Sequence, residues 1–202
     1  MYTIGITGGT GAGKTSALRV LDRSGALVLD CDAIYHELLA DDDGLKAELE
    51  NRFPGVLHDG VIDRRRLGDI VFNDPPSLQD LNSITHRYIG EEIERRLLHW
   101  ERHGGIVAAI DAIALIESGR GAACDVVIGV VAPEEMRLSR IVKRDKISRE
   151  QALQRIRAQK PDSFFRENCD YILENRFNSA AEFEIECNDF FEGLMGGQIN
   201  AG

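Results

Sequence analysis

Cysteine is scarce in this 202-residue chain, and the four present are spaced too widely for a shared task. Cys31, Cys124, Cys169 and Cys187 form no C-x-x-C pair and have no histidine partner pattern. That excludes a zinc ribbon and a disulfide framework, and leaves reduced structural thiols of a cytoplasmic protein. Long apolar runs are missing too. None reaches the ~18 residues that would span a membrane, so no membrane partner is expected. The first residues lead straight into a strand-like run, with no basic segment and apolar core of a secretory leader. No internal repeat or low-complexity tract is visible. The net charge of −10 argues against a nucleic-acid partner. The sequence is silent on oligomeric state. At this length the chain holds one domain, or a domain with insertions, large enough for a substantial core.

One motif dominates what is there. Gly8-Gly9-Thr10-Gly11-Ala12-Gly13-Lys14-Thr15 satisfies every fixed position of G-x-x-x-x-G-K-[ST]. Before it, Tyr2 to Ile6 reads as a buried strand; after it, Ala17, Leu18 and Leu21 mark a helix. Strand, glycine loop and helix form the arrangement that binds a nucleotide's phosphates. Glycines let successive N–H groups converge on oxygen atoms, and the helix start adds about half a positive charge. Gly9, Thr10, Gly11, Ala12 and Gly13 line the cradle. Lys14 brings a full charge to the β- and γ-phosphates, and Thr15 a hydroxyl for Mg²⁺.

Charge is unevenly placed. Residues 137–160 carry Arg137, Arg140, Lys143, Arg144, Lys146, Arg149, Arg155, Arg157 and Lys160 against Asp145 and Glu150. That is a net +7 in a chain of net −10, which leaves −17 for the remainder. Such a segment suits an anion, and a nucleoside triphosphate is the obvious one. Pro133-Glu134-Glu135 opens a helix that sets Arg137, Arg140 and Arg144 on one face. Asp145-Lys146-Ile147 breaks it. Ser148-Arg149-Glu150-Gln151 fits a capping box for a second helix, which Pro161 closes. Two short helices with an arginine stripe read as a lid.

Five continuous apolar runs predict strands near residues 2–6, 26–29, 106–110, 125–131 and 171–173. Runs of this kind are buried on both faces, as in a parallel sheet. The expected class is α/β, a doubly wound five-stranded parallel sheet with ligands at the carboxyl ends of its strands. Residues 33–104 break the alternation. They read as helices without a convincing strand, punctuated at Asp41-Asp42-Asp43-Gly44, Pro54-Gly55, Asp59-Gly60 and Asp74-Pro75-Pro76. The expected division is a nucleotide core (1–32, 105–133, 161–202), a helical acceptor domain (33–104) and the lid (134–160).

Asp30-Cys31-Asp32 falls at the end of the second strand. A carboxylate there can take the proton of an acceptor hydroxyl while the γ-phosphoryl moves, and Asp32 is the candidate. Aspartate is also a favoured N-cap for a helix starting at Ala33. Asp111 closes the third long apolar run, where an acid can help hold Mg²⁺ or simply be a turn aspartate. Arg64, in Arg64-Arg65-Arg66, can meet an anionic substrate or be solvated at a helix start after Asp63. His86 and Trp100 lie on a helix, where packing is the commoner role.

These residues carry a resemblance to the dephospho-coenzyme A kinase family over about residues 2–176. It rests on Ile6 to Thr15, on Leu29-Asp30-Cys31-Asp32-Ala33-Ile34, and on Asp59-Gly60-Val61-Ile62-Asp63-Arg64. It continues through Ile84-Thr85-His86, Arg137-Leu138-Ser139-Arg140 with Lys143-Arg144-Asp145, Arg155-Ile156-Arg157-Ala158-Gln159, and Cys169 to Asn175. The resemblance implies a P-loop kinase core with a helical coenzyme-A-binding domain and a lid. It implies transfer of the ATP γ-phosphoryl to the ribose 3′-hydroxyl of dephospho-coenzyme A, with Mg²⁺. Asp32 matches the family's catalytic aspartate and Arg140 its lid arginine, acting with Lys14. By the same match Ser16, Arg140 and Asn175 join the ATP side, and Thr7, Asp32, Arg64, His86 and Asp111 the acceptor side. Two departures stand out: His86-Arg87 replaces His-Pro, and Asp111-Ala112-Ile113 replaces D-x-P. A kinase of another small alcohol or nucleotide is the alternative. A GTP switch would want an N-K-x-D motif, and the sequence has none.

Overall fold

Apolar β-branched runs become the sheet of a computed structural model, which describes residues 1–199. In chain order the strands are β1 (Tyr2–Thr7), β2 (Leu27–Asp30), β3 (Leu57–His58), β4 (Val61–Ile62), β5 (Val107–Asp111), β6 (Val126–Val131) and β7 (Tyr171–Glu174). Five of them form one sheet in the order β2-β5-β1-β6-β7. β1 lies centrally and parallel to both neighbours, with Ile6 opposite Asp111 on one side and Ile128 on the other. All six residues of β6 are buried, as expected for a strand covered on both faces. The five expected runs are thus the five strands of the parallel sheet, each within a residue or two.

The helices are α1 (Lys14–Arg23), α2 (Cys31–Asp41), α3 (Asp43–Arg52), α4 (Arg64–Val71), α5 (Pro75–Arg102), α6 (Glu134–Asp145), α7 (Arg149–Arg157), α8 (Asp162–Asn168) and α9 (Ala180–Ile199). The chain divides into two compact units. One comprises Met1–Val28 and the chain from Gly104 onward, the other Leu29–His103. In the first, Ile4, Ile6, Ala109, Ile128 and Val130 of the strands pack with Ala17 and Leu21 of α1 and Phe183, Cys187 and Phe191 of α9. Leu138 and Ile141 of α6 make a smaller core with Ala152 and Ile156 of α7.

In the second unit α2, α3 and α4 each pack against the 28-residue α5. Arg87, where the resembled family has proline, leaves α5 unbroken and pairs with Glu48 of α3. Proline there would remove a backbone hydrogen bond and kink the helix.

Three local expectations need correction. Residues 33–104 do contain strand: β3 and β4 pair antiparallel across Asp59-Gly60. Asp59 and Gly60 both take positive φ (50° and 79°), which a two-residue hairpin turn requires. The helix after β2 begins at Cys31, not Ala33, and its cap is Asp30. Pro161 does not close α7, which ends at Arg157; it opens α8 instead.

Candidate active site

The phosphate loop is shaped by close approach from beneath. Gly8, Gly11 and Gly13 have φ of 142°, 76° and 117°, a region costly for any side chain. A Cβ at Gly9 would run into the Arg137 guanidinium, and one at Gly13 into the Asn175 amide. The loop ends in α1, whose N-cap Gly13 offers no side chain. The Ser16 N–H turns back to the Gly13 carbonyl at 2.9 Å, and the other N–H groups of the first turn are the ones a helix start offers to an anion.

Arginines of α6 hold the loop's carbonyls. Arg137, 4% exposed, donates from Nε to the Thr10 carbonyl at 3.0 Å. Arg140 donates to the carbonyls of Gly11 (3.1 Å) and Ala12 (3.3 Å), and to Asn175 Oδ1 (3.0 Å) and the Phe177 carbonyl (2.8 Å). Burial pushes the Arg140 pKa down, yet a guanidinium stays charged at neutral pH. Arg144 reaches the Thr10 hydroxyl at 3.5 Å. The expected stripe is real, and it faces the loop. Arg140, expected on a closing lid, is already tied to the loop in this structure.

Lys14 Nζ lies 3.9 Å from Asp111 Oδ1, the last residue of β5. Thr15 is exposed in the first turn of α1, whereas Ser16 behind it is 7% exposed. Hydroxyl and carboxylate oxygens suit a hard cation such as Mg²⁺. Among the described residues no group of three or more acidic, histidine or cysteine side chains forms a dedicated cage. Mg²⁺ seldom needs one, since it keeps waters and substrate phosphates as ligands.

Two other expected contacts take a different form. Asn175 is 4% exposed, and its amide donates to the Ala12 carbonyl at 2.9 Å and accepts from Arg140. It props the loop from below rather than offering itself to a nucleotide. Thr7 is fully buried, and its hydroxyl donates to the Ile113 carbonyl at 3.1 Å. It fixes the segment after β5 instead of meeting an acceptor. Gln159 was not singled out for any role by the sequence, and its amide oxygen accepts the Thr10 N–H at 2.7 Å. A separation of 149 residues left no local signal for that bond.

Within Leu29–His103, Asp30 Oδ1 accepts the N–H groups of Asp32 (2.8 Å) and Ala33 (3.1 Å). Asp30 is thus the cap, and Asp32 stands exposed in the first turn of α2. One turn on, Tyr35 lines a pocket of about 490 Å³ with Arg64, Arg65, Val71, Phe72 and Leu81. Burial pushes the Tyr35 hydroxyl pKa up, and the Arg64 charge opposes it. Phe72 is 81% exposed. His86 is exposed on α5.

A loop with its carbonyls held by arginines and an uncapped helix behind it suits a polyphosphate. On a parallel sheet of this order, it defines the chain as a P-loop phosphotransferase. A model of the dephospho-CoA kinase family matches residues 2–181. A dephospho-CoA kinase of Latilactobacillus sakei is 31% identical over 194 residues, covering 96% of each chain. A solved structure from Thermus thermophilus superposes with a TM-score of 0.80 at 30% identity, covering 97% of both chains. A solved dephospho-CoA kinase from Campylobacter jejuni gives 0.71 at 26% identity, covering 97% of this chain and 98% of that one. The chain belongs to the dephospho-CoA kinase family, and it is an ATP-dependent kinase.

Proposed function

We propose that Asp32, Lys14 and the loop Gly9–Ser16 carry the transfer of the ATP γ-phosphoryl to the 3′-hydroxyl of dephospho-coenzyme A, the last step of coenzyme A synthesis. Lys14 holds the β- and γ-phosphates while charge moves between them. Asp32 accepts the proton of the attacking 3′-hydroxyl. Thr15 and Asp111 are the oxygen ligands for Mg²⁺, which neutralises phosphate charge when bound. Residues 134–160 act as the lid; on α7, Arg157 stands exposed for the phosphates, while Arg149 and Arg155 pair with Glu135 and Asp145. Residues 33–104 receive the acceptor. Arg64 and Arg65 suit its diphosphate, and the apolar wall of Val71, Phe72 and Leu81 suits its pantetheine arm. The cytoplasm is the compartment; the thiols of Cys124, Cys169 and Cys187 are free, with pKa values pushed up by burial to about 11, 11 and 12.

The observation that carries this reading is the division of labour between two neighbouring carboxylates. Asp30 caps α2, so Asp32 has no capping duty to explain it. An exposed carboxylate in the first helical turn is well placed to receive a proton and return it to water.

Asp32→Asn tests the assignment. The cap stays intact, so melting should not change. kcat should fall about 10²–10⁴-fold, the usual general-base contribution, at saturating ATP and dephospho-coenzyme A. A loss under about threefold would leave Asp32 without a catalytic role.

A further inference from the structure

Gln159 sits just after α7, near the end of the lid segment, and the reaction as described gives its side chain no role. Its side chain reaches back to the phosphate loop. The Oε1 atom accepts the Thr10 N–H at 2.7 Å and an Arg137 NH2 hydrogen at 3.3 Å. The same guanidinium donates to the Thr10 carbonyl and, through NH1, to Asp162 Oδ1 at 3.2 Å. Both backbone groups of Thr10 are therefore held by side chains. One comes from α6, the other from the link between α7 and α8, and Arg137 ties the two together and anchors them to the first residue of α8.

We infer that Gln159 is a positioning residue for ATP: by holding the Thr10 N–H, it sets the tip of the phosphate loop. Thr10 lies between two glycines. Gly9 has no room for a Cβ beneath Arg137, and Gly11 turns at φ 76°. Glycine leaves the backbone loose on both sides. A loop of this kind needs outside bonds to keep its N–H groups converged, and Gln159 supplies one at the tip. The bond also couples the end of α7 to the loop.

The inference rests on the phosphate-loop reading, and the test separates the two. In the full chain, Gln159→Met keeps the length and removes the acceptor. It leaves the Thr10 N–H unmatched, a loss that corresponds to about tenfold in binding. The KM for ATP should rise by about that factor. The KM for dephospho-coenzyme A should stay within about twofold, and Tm should fall by no more than the few degrees of one lost hydrogen bond. Gln159→Glu keeps an acceptor for both Thr10 and Arg137, and should hold the ATP KM within about threefold of the parent. Three results would overturn the inference. One is an unchanged ATP KM in Gln159→Met. Another is an equal rise in both KM values with a Tm lowered beyond that, which marks a general packing role. The third is a Glu variant as impaired as Met. None of these touches the phosphate-loop reading, which stands or falls with Lys14.

Discussion

In the unit formed by Met1–Val28 and the chain from Gly104 onward, cations hold the carbonyls of the functional loop. Arg137 takes Thr10, and Arg140 takes Gly11 and Ala12. In Leu29–His103 the polarity is reversed. Carboxylates hold N–H groups there: Asp30, Asp42, Asp63 and Asp74 cap α2, α3, α4 and α5 in turn. Glu50 takes the N–H groups of Gly55, Val56 and Leu57 together. The first unit also uses carboxylates, Asp125 on the Thr3 N–H, Asp170 on Val127 and Glu182 on Ser179, but at the amino ends of two strands and of α9 rather than on the loop. An anion bound by backbone needs unclaimed N–H groups. The loop meets that need at its α1 end: arginines satisfy its carbonyls and no side chain caps α1, while at the tip the Thr10 N–H is held by Gln159. The other unit has closed every one of its helix starts with aspartate. A phosphate group arriving there must be met by side chains, and Arg64 and Arg65 are the ones its pocket offers.

The largest expected effect breaks the comparison at its functional end. Lys14→Ala removes the one full charge that the loop brings to the phosphates. Loss of a single well-placed donor lowers kcat about 10²–10³-fold, and a full charge should reach the upper end. ATP binding, measured by calorimetry, should weaken as well. Turnover near the parent's in a folded Lys14→Ala protein would remove the phosphate-loop assignment.

Arg140→Met sharpens the claim that carbonyls must be held from below. Methionine keeps much of the stem and loses the donors to Gly11, Ala12, Asn175 and Phe177. Leaving buried acceptors unmatched costs on the order of 1–3 kcal/mol, so the ATP KM should rise by about tenfold or more while kcat falls. A fall in kcat with ATP KM unchanged points elsewhere. It would mean that Arg140 acts only on the moving phosphoryl group, and that the loop stands without it.

Much of the first unit was legible because its signals are local. The glycine loop, the apolar strand runs and the Ser148–Gln151 capping box each lie within a few residues, and each has its expected form. What escaped was long-range or balanced. Asn175 reaches Ala12 across 163 residues. Asp30 and Asp32 are equally good caps by type. The choice was made by where β2 ends and α2 begins, one residue apart. The β3–β4 hairpin carried the Asp-Gly signal, but arms of two residues are too short to show alternation. The resemblance puts Thr7 with the acceptor, and its burial against Ile113 follows only from the packed sheet.

The smallest expected effect tests the acidic half of the comparison through pH. The N–H of Gly55 foremost, with those of Leu57 and Val56, holds the Glu50 carboxyl below its usual pKa. Asp63 and Asp74 are lowered by their caps, through the Arg66 N–H and the Ser77 hydroxyl above all. A group whose folded pKa is depressed stabilises the fold at pH above its unfolded value, near 4.3 for glutamate. That contribution disappears as pH falls through the folded value. The parent should therefore lose Tm steeply between about pH 5 and pH 3. Glu50→Gln keeps the shape and one acceptor oxygen, but no charge at position 50. It should melt lower than the parent at pH 7 and show a shallower decline in acid, so that the two curves approach each other near pH 3. Asp63 and Asp74 still titrate in the variant, so part of the slope should survive. Parallel curves over the whole range would mean that Glu50 holds its three N–H groups no better as a carboxylate than as an amide. The reversed polarity of the second unit would then be a matter of shape alone.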